Sequence, residues 1–340
     1  MNRLRVFGVS FALTALVVFG GCLPTTSNHR GGINITVSGF SIMQEAMEKS
    51  IFPSFAAKWK RERGEDVHFT SSFASSETIT NQILQGLGVD VAILSIERDV
   101  ERLARAGVVT ANRRLLPHDG IINKTPFVIL VRTGNPKSIR DYPDLAKLDV
   151  NLIHPDPVSS GGAQWSILGI YGSELKKSEQ QTGAYDQAQA LQTLQAIWRR
   201  VKSTPASARE ARTQFETGYG DALITYELEG LLMKEAKTPI EIVVPRSTIF
   251  SEHPAVIIDR NVTAQERPVV EAFLQYLWSD EAQRAFIKYH FRSVTDESLN
   301  EQNAAFAQIE LPFTVEFFGG WGRAYPEIIE GVWRDQVQKK

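Results

Sequence analysis

The chain contains the stretch Ile153-His154-Pro155-Asp156-Pro157-Val158-Ser159-Ser160-Gly161-Gly162-Ala163-Gln164-Trp165, which follows a short apolar segment. Two prolines end that segment, and the small residues then open a predicted helix. Glycines at 161 and 162 let a ligand approach the backbone closely, and Ser160 adds a hydroxyl donor. Unpaired N–H groups and a partial positive charge mark the start of a helix. The stretch therefore predicts an anion-binding turn, with a simple N-capped helix start as the alternative.

The N-terminus carries the pattern of an export signal. Two arginines precede an apolar run at 6–19, and Cys22 follows a pair of glycines. The run is shorter than the roughly 20 apolar residues of a membrane span, and its charged start and small-residue exit are typical of a secretory signal peptide. We predict a signal peptide at 1–21 and a lipid-anchored tether at 22–32, with Cys22 as the lipidated residue. Ordinary signal cleavage, with Cys22 incidental, is the alternative.

Length and charge exclude several classes of protein. About 300 residues follow the signal, more than one hydrophobic core usually supports. The formal net charge of −2 gives no reason to expect a nucleic-acid partner. Cys22 is the only cysteine, so no intrachain disulfide can form. We expect an exported protein that has two domains and is monomeric.

Strand-like and helix-like segments alternate along the rest of the chain. The predicted strands are 33–37, 67–69, 89–95, 127–131, 150–153, 222–226, 240–244 and 255–258. An amphipathic helix at 43–60, divided by Pro53, follows the first strand, and Thr263-x-x-Glu266 predicts a capping box before a late helix. This order favours an α/β fold with mainly parallel sheets flanked by helices.

The chain is predicted to build one lobe, cross to a second and return. We place the two crossing strands at 127–131 and 255–259, where strongly apolar strands lie. The resulting division gives a first lobe of 33–129 and 257–337 and a second lobe of 130–256. The cleft between such lobes is where a small ligand lies. Aromatic residues at 313–325 are interpreted as a core that closes the first lobe, with a docking surface for a partner as the alternative.

Several segments resemble the periplasmic sulfate- and thiosulfate-binding proteins of ABC transporters, which are type II periplasmic binding proteins. They are Phe127-Val-Ile-Leu-Val-Arg-x-Gly-Asn-Pro-Lys137, Pro155-x-Pro-x-Ser-Ser-Gly-Gly-Ala-x-Trp165, Ala208-Arg209 with Gly220-Asp221 and Tyr226-Glu227, and Phe318-Gly-Gly-Trp321. The resemblance runs from about residue 33 to about residue 323. It implies two α/β lobes, joined by two crossings, that close around one dehydrated oxyanion.

The resemblance also implies which residues bind the oxyanion. The positions that match the family's binding residues are Ser160, Gly161, Gly162, Ser75, Ala208, Tyr226 and Ser38. Sulfate carries no proton at neutral pH, so its site needs hydrogen-bond donors alone, whereas phosphate keeps a proton and benefits from an acceptor. Helix N-termini supply such donors without a salt bridge. An N-cap role for Ser75 and a plain turn role for Ser38 are the alternatives.

Three positions depart from the family pattern. Gly39-Phe40 stands where a Tyr-Asp pair is usual, Tyr226 where a tryptophan is usual, and Glu77 where a lysine often follows the serine loop. A phenol can accept as well as donate, and a carboxylate facing the cleft would repel a dianion. We expect Glu77 to sit at the helix N-terminus and point to solvent. Arg209 and Arg212 would offset its charge or form structural pairs. A cleft-facing Glu77 would favour phosphate or an organic sulfonate.

The sequence gives no support for an enzyme. The six histidines show no metal-binding spacing, and His154 near Ser160 lacks the context of a nucleophilic serine. We therefore predict no cofactor, no metal and no catalytic residue. The expected partners are sulfate or a related oxyanion, the permease subunits of an ABC transporter, and a membrane reached through Cys22. A binding module for signalling is the alternative to transport.

Overall fold

The protein is described by a computed structural model that covers residues 32–147 and 149–339. The signal peptide, the tether and Cys22 lie outside the described residues, apart from Gly32. The strands are β1 (Ile33–Phe40), β2 (Val67–Ala74), β3 (Val91–Ile93), β4 (Ile121–Arg132), β5 (Leu152–Ile153), β6 (Val201–Ser203), β7 (Ala222–Tyr226), β8 (Ile240–Val243), β9 (Ser247–Ile257) and β10 (Leu311–Phe313).

Helices cover both faces of the sheets. They are α1 (Gln44–Ala46), α2 (Phe52–Arg63), α3 (Ser76–Leu84), α4 (Glu97–Arg105), α5 (Gly161–Thr182), α6 (Gln187–Trp198), α7 (Ala208–Glu216), α8 (Glu227–Glu235), α9 (Arg267–Tyr276), α10 (Asp280–Lys288), α11 (Glu297–Glu301) and α12 (Trp321–Ala324). A π-helical segment, Tyr325–Gln338, ends the described chain. Among the described residues, no helix has both the length and the apolar character that a membrane crossing requires.

The strands follow the order β2-β1-β3-β9-β4-β7-β5-β6, with β8 added to β4 and β10 to β9. The first lobe is built on β2, β1 and β3, which are parallel, and the second lobe on β7, β5 and β6, which are also parallel. Helices pack on both faces, so the inner strands are buried and apolar. The predicted α/β fold with two lobes is confirmed.

Two long antiparallel strands connect the lobes. One part of β9 pairs with β3, its middle part pairs with β4, and the far part of β4 pairs with β7 and β8. The predicted strands 127–131 and 255–258 cover only one end of β4 and of β9. The middle parts carry polar residues, such as Asn123 and His253, which interrupt the apolar pattern. These residues face each other across the ladder, and His253 Nδ1 lies 2.6 Å from Asn123 Oδ1.

Pro53 does not break the helical segment that follows β1. A π-helical turn at Met47–Ile51 leads directly into α2, and Pro53 occupies the first turn of α2. The amide of Phe52 bonds to the carbonyl of Met47, one residue further back than in an α-helix. The wider turn accommodates the proline without ending the helix. Farther along, the predicted capping box forms, because Thr263 Oγ1 accepts from Glu266 N while the Glu266 carboxylate accepts from Thr263 N.

Most of the aromatic residues at 313–325 pack on the second lobe, whereas the Tyr325 ring lies against the Arg98 guanidinium of α4, 3.6 Å from the ring centroid. The Trp321 ring meets the Trp165 ring of α5 edge-on, with centroids 4.7 Å apart. A Cβ atom at Gly172 of α5 would lie 2.6 Å from the Phe313 ring, so the glycine makes room for these rings. The interpretation of this cluster as the core of the first lobe is therefore wrong for Trp321 and Phe313. The terminal segment Tyr325–Gln338 continues along α5 and α6.

Candidate anion-binding site

The first turn of α5 carries backbone donors without a partner. Ser160 is the N-cap, and its hydroxyl oxygen accepts from Ala163 N at 3.3 Å. The amide of Ser160 donates to Asp156 O at 2.8 Å, whereas the amides of Gly161 and Gly162 donate to no described residue. All three residues are buried. A buried N–H group without an acceptor costs about 1–3 kcal/mol, so this turn calls for an acceptor from outside the chain.

Two hydroxyl groups border this turn from either side of the cleft. The Tyr226 hydroxyl, at the end of β7, lies 3.0 Å from Oγ of Ser95, which follows β3. A Cβ atom at Gly161 would lie 2.7 Å from Ser95 Cβ, and one at Gly162 would lie 2.7 Å from the Tyr226 oxygen. Burial raises the pKa of Tyr226 above its ordinary value, so the phenol keeps its proton. The Tyr226 hydroxyl can therefore donate as well as accept a hydrogen bond beside the first turn of α5.

The N-terminus of α3 approaches the same region from the first lobe. The amide of Glu77 donates to Ser159 O at 3.3 Å, which joins the start of α3 to the turn before α5. Ser75 is the N-cap of α3, and its Oγ accepts from Thr78 N at 3.3 Å. The amide of Ser76 donates to no described residue. Ser75 therefore caps its helix and lies beside the turn that carries Ser160.

The carboxylate of Glu77 is engaged by cations of α4. Its Oε2 lies 2.6 Å from Arg102 Nη1 and 3.9 Å from Arg98 Nη1, and its Oε1 accepts from Asn81 Nδ2 at 3.2 Å. Glu77 is thus held against α3 and α4 by the arginines, rather than left free in solvent as expected. This pairing removes the objection that a carboxylate at this position would repel a dianion.

The start of α7 brings a further set of donors. Ser207 caps the helix and accepts from Glu210 N at 3.2 Å, while the amide of Ala208, which is buried, donates to no described residue. Arg209 pairs with Glu229 at 3.0 Å and with Glu45 of the first lobe. Arg212 also pairs with Glu229, at 3.0 Å, and with Glu216. Both arginines are therefore structural pairs, and neither offsets Glu77.

Ser38 and Phe40 lie at the end of β1. Oγ of Ser38 is 2.8 Å from Oγ of Ser72 on β2, and no other described side chain bonds to it. The Phe40 ring lies 6.3 Å from the Tyr226 ring and 4.7 Å from the His253 ring, measured between centroids. The structure therefore gives Ser38 a partner within the sheet, and it places Phe40 as an apolar wall beside Tyr226.

Neither a metal centre nor a catalytic serine is built from the residues that the structure describes. No group of three or more His, Cys, Asp or Glu side chains within 32–147 and 149–339 could hold a metal ion. Nδ1 of His154 donates to Pro155 O at 2.7 Å, so Nε2 accepts from Ser166 and not from Ser160. Burial lowers the pKa of His154 to about 4. The arrangement can bind an anion through neutral donors, but it holds no base for Ser160.

Sequence reasoning missed Ser95. Both backbone groups of Ser95 form hydrogen bonds with side chains. Its amide donates to Ser76 Oγ at 3.1 Å, and its carbonyl accepts from Trp165 Nε1 at 2.7 Å. The available signal was position: Ser95 ends a predicted buried strand, and ligands of open α/β sheets bind at the carboxyl ends of strands. The partner of its hydroxyl group could not be predicted from the sequence, because Tyr226 is 131 residues away.

Comparisons with known proteins agree with this geometry. The family model described as bacterial extracellular solute-binding protein matches residues 36–292. A sulfate-binding protein of Escherichia coli is 34% identical over the full length of both chains, and one of Synechococcus elongatus is 32% identical over 97% of this chain and 95% of its own. A thiosulfate-binding protein of Escherichia coli is 30% identical over 94% of this chain and 92% of its own.

A solved structure shows the same fold. The sulfate-binding protein SubI from Mycobacterium tuberculosis superposes with a TM-score of 0.77 and 29% identity, and the match covers 87% of this chain and 99% of SubI. The resemblance that the sequence motifs indicated is confirmed by these matches. The family model alone covers well over half of the chain. The chain therefore belongs to the family of bacterial extracellular solute-binding proteins.

Proposed function

We propose that this protein binds sulfate, or the related thiosulfate, in the cleft between its lobes and delivers it to the permease of an ABC transporter. Ligand stabilises the closed arrangement of the lobes, and the permease recognises that arrangement. The relatives that carry the names sulfate-binding and thiosulfate-binding protein support this choice of ligand. The proposed binding residues are Ser160, Gly161, Gly162, Ser75, Ala208, Tyr226 and Ser38.

The observation that carries the proposal is the set of buried amides at 161, 162 and 208, which donate to no described residue. Nearby carboxylates are already engaged, because Glu77 is paired with Arg102 and Glu45 with Arg209. Donors without acceptors suit an oxyanion that carries no proton. Each charge-assisted bond contributes about 1.5–3 kcal/mol, so several amides hold a dianion without a salt bridge.

The lobe boundaries form part of the proposal. The proposed lobes are 33–129 with 257–337 and 130–256, and their boundaries fall within β4 and β9, the two strands that run between the sheets. The segment Tyr325–Gln338 packs against α5 and α6, so this end of the first-lobe sequence would move with the second lobe. We propose that the pairing of β4 with β9 is the hinge of closure.

We also propose that the protein is a lipoprotein on the outer face of a membrane. The apolar run at 6–19 and the single Cys22 support a signal peptide at 1–21 and a lipid anchor. Membership of an extracellular solute-binding family agrees with export. An anchored monomer on a short tether stays near the permease, which is the partner that transport requires.

A different oxyanion is the second candidate, and Tyr226 is the observation that favours it. A phenol accepts as well as donates, so phosphate, molybdate or a small sulfonate could also be held. Calorimetric titration of the anion-free mature chain with sulfate, thiosulfate, phosphate, molybdate and methanesulfonate separates these ligands. We expect tight sulfate binding that changes little between pH 6 and pH 8. Binding of phosphate in place of sulfate would contradict the proposed ligand.

Transport and signalling require different measurements in the cell. Deletion of the gene should lower the uptake of radiolabelled sulfate, and a plasmid copy should restore it. A copy with Gly161→Trp, which blocks the α5 turn, should not restore uptake. Unchanged uptake in a strain without a second sulfate receptor would instead leave a binding module that signals.

A further inference from the structure

Ser95 has a hydroxyl group whose only described partner is Tyr226. The side chain is 1% exposed, and its Oγ lies 3.0 Å from the Tyr226 oxygen. Both backbone groups of Ser95 are bonded elsewhere, the amide to Ser76 Oγ at 3.1 Å and the carbonyl to Trp165 Nε1 at 2.7 Å. Ser95 is therefore fixed in place by its backbone, and its hydroxyl is left to serve Tyr226.

The pair forms across the cleft, at the turn that carries the unpaired amides. Ser95 follows β3 of the first lobe, and Tyr226 ends β7 of the second lobe. A Cβ atom at Gly161 would lie 2.8 Å from Ser95 Oγ, and one at Gly162 would lie 2.7 Å from the Tyr226 oxygen. The two hydroxyl groups thus meet only when the lobes are together, and they meet beside the first turn of α5.

The direction of the hydrogen bond decides what the pair offers to a ligand. Two hydroxyl groups contain two hydrogens, and one of them is used between the two oxygens. If Ser95 donates to the phenol oxygen, the phenol hydrogen is free to bond outward. A dianion beside the pair favours this direction, because it attracts the hydrogen and repels the oxygen lone pairs. The serine then occupies one acceptor position of the phenol.

We infer that Ser95 is a positioning residue for specificity, which turns Tyr226 into a hydrogen-bond donor toward a fully deprotonated oxyanion. This inference rests on the proposed function and names a residue that selects among its ligands. A protonated oxyanion needs an acceptor, and Ser95 takes up acceptor capacity that Tyr226 would otherwise offer. Sulfate is therefore favoured over hydrogen phosphate by a contact that does not touch the anion directly.

The test is a double-mutant cycle on the full mature protein. The variants are Ser95→Ala, Tyr226→Phe and the double variant, with Ser173→Ala as the control because Ser173 is a buried serine of α5 whose Oγ has no described partner. Calorimetry measures the Kd for sulfate and for hydrogen phosphate, and thermal unfolding without ligand measures stability. Ser95→Cys serves as a second, milder variant.

We expect each single variant to lower Tm, because one buried hydroxyl loses its partner, and the double variant to recover most of the loss. The Kd for sulfate should rise about tenfold in Ser95→Ala and stay raised in the double variant, since one charge-assisted bond is lost or misdirected. The ratio of the phosphate Kd to the sulfate Kd should fall in Ser95→Ala. Ser173→Ala should change neither Kd.

Two results would overturn the inference. One is a Ser95→Ala protein that binds sulfate with the wild-type Kd and the wild-type preference. The other is a double variant in which sulfate affinity recovers together with Tm, which would make the hydroxyl pair structural only. A wild-type protein that binds no sulfate would be a distinct result, because it would remove the proposed function and with it the inference. If the wild type binds sulfate and Ser95→Ala binds it equally well, the inference about Ser95 fails and the proposed function stands.

Discussion

Nη2 of Arg209 lies 2.8 Å from Oε2 of Glu45, and this ion pair joins α7 of the second lobe to α1 of the first. Arg209 directly follows Ala208, whose buried amide has no described acceptor. Burial acts to raise the pKa of Glu45, but the bonds from Arg209 outweigh it and hold the pKa below its ordinary value. The pair therefore stabilises the closed arrangement with both groups charged.

Removal of this pair should weaken ligand binding without unfolding either lobe. We expect Glu45→Gln to raise the Kd for sulfate about three- to tenfold, because the closed state loses a partly buried ion pair that the open state lacks. Glu216→Gln is the matched control, since Glu216 pairs with Arg212 within α7. Calorimetry gives both affinities, and equal Kd values for the two variants would contradict a role in closure.

A side chain at position 161 should obstruct closure. A Cβ atom there would lie 2.7 Å from Ser95 Cβ, which belongs to the opposite lobe. We expect Gly161→Ala to raise the Kd for sulfate about tenfold to a hundredfold, as overpacking costs about 1–3 kcal/mol. Tm without ligand should change little, because the open protein avoids the clash. Gly88→Ala, where nothing lies within 4 Å, is the control, and small-angle scattering should show less compaction with sulfate for Gly161→Ala alone.

Stability should fall as the pH drops below 6.5, in part because of His154. Burial lowers the pKa of His154 to about 4, so the unfolded chain binds a proton at a pH where the folded chain does not. Between its unfolded and folded pKa values, this group alone lowers the free energy of unfolding by about 1.4 kcal/mol for each unit by which the pH falls.

Other buried groups contribute as well, so the measurement compares variants. Burial raises the pKa of Asp99 to about 6, which lowers stability as the pH rises from 3.8 to 6 and opposes the histidine. The contribution of Asp99 is common to His154→Gln and the wild type, so it cancels when the two are compared by urea unfolding at pH 4.5, 5.5 and 6.5. The variant should show a smaller slope than the wild-type protein. Equal slopes in the variant and the wild type would refute a buried neutral His154.

The residue after Tyr226 is anchored by a buried ion pair. Both carboxylate oxygens of Glu227 bond to Arg292, at 2.9 Å from Nη2, and Oε1 also accepts from Ala307 N at 2.7 Å. We expect Arg292→Ala to lower the free energy of unfolding by about 3–5 kcal/mol, because a buried carboxylate loses its cation. Arg323→Ala, from an exposed pair with Glu327, should have little effect. Urea unfolding checks both, and similar effects would contradict the assignment.

The proposed lipid attachment at Cys22 has a direct chemical test. Cells fed labelled palmitate should incorporate the label into wild-type protein, because the apolar run and the single cysteine match a lipoprotein signal. Cys22→Ala should carry no label and should appear in the soluble extract. Ser27→Ala in the same tether controls for effects on export. An unlabelled wild type would leave a signal peptide that is cleaved without an anchor.

The fold could be predicted largely because its strands are buried on both faces. Strands such as β7 are continuous apolar runs between turn residues, which sequence patterns reveal well. The middle parts of β4 and β9 escaped detection, since they carry buried polar pairs such as Asn123 and His253. The packing of Phe313 against Gly172 also escaped, because a contact between distant segments leaves no periodic signal.

The part of the candidate site that lies at the start of a helix could be predicted from the sequence. Ser160 and the glycines after it are adjacent in sequence, and the cap that they form is local. The state of Glu77 depended on Arg102, which lies on the next helix, and the role of Ser95 depended on Tyr226 in the other lobe. Such pairs are fixed by tertiary contacts alone, so sequence reasoning leaves them open.

The candidate donors are divided between two lobes, which the long strands β4 and β9 connect. Gly161 and Ala208 belong to the second lobe, whereas Ser75 and the start of α3 belong to the first. Neither lobe by itself surrounds an anion. When the lobes separate, water can take the place of the donors of the opposite lobe. Release of an anion therefore requires separation of the two lobes and no competing group at the site.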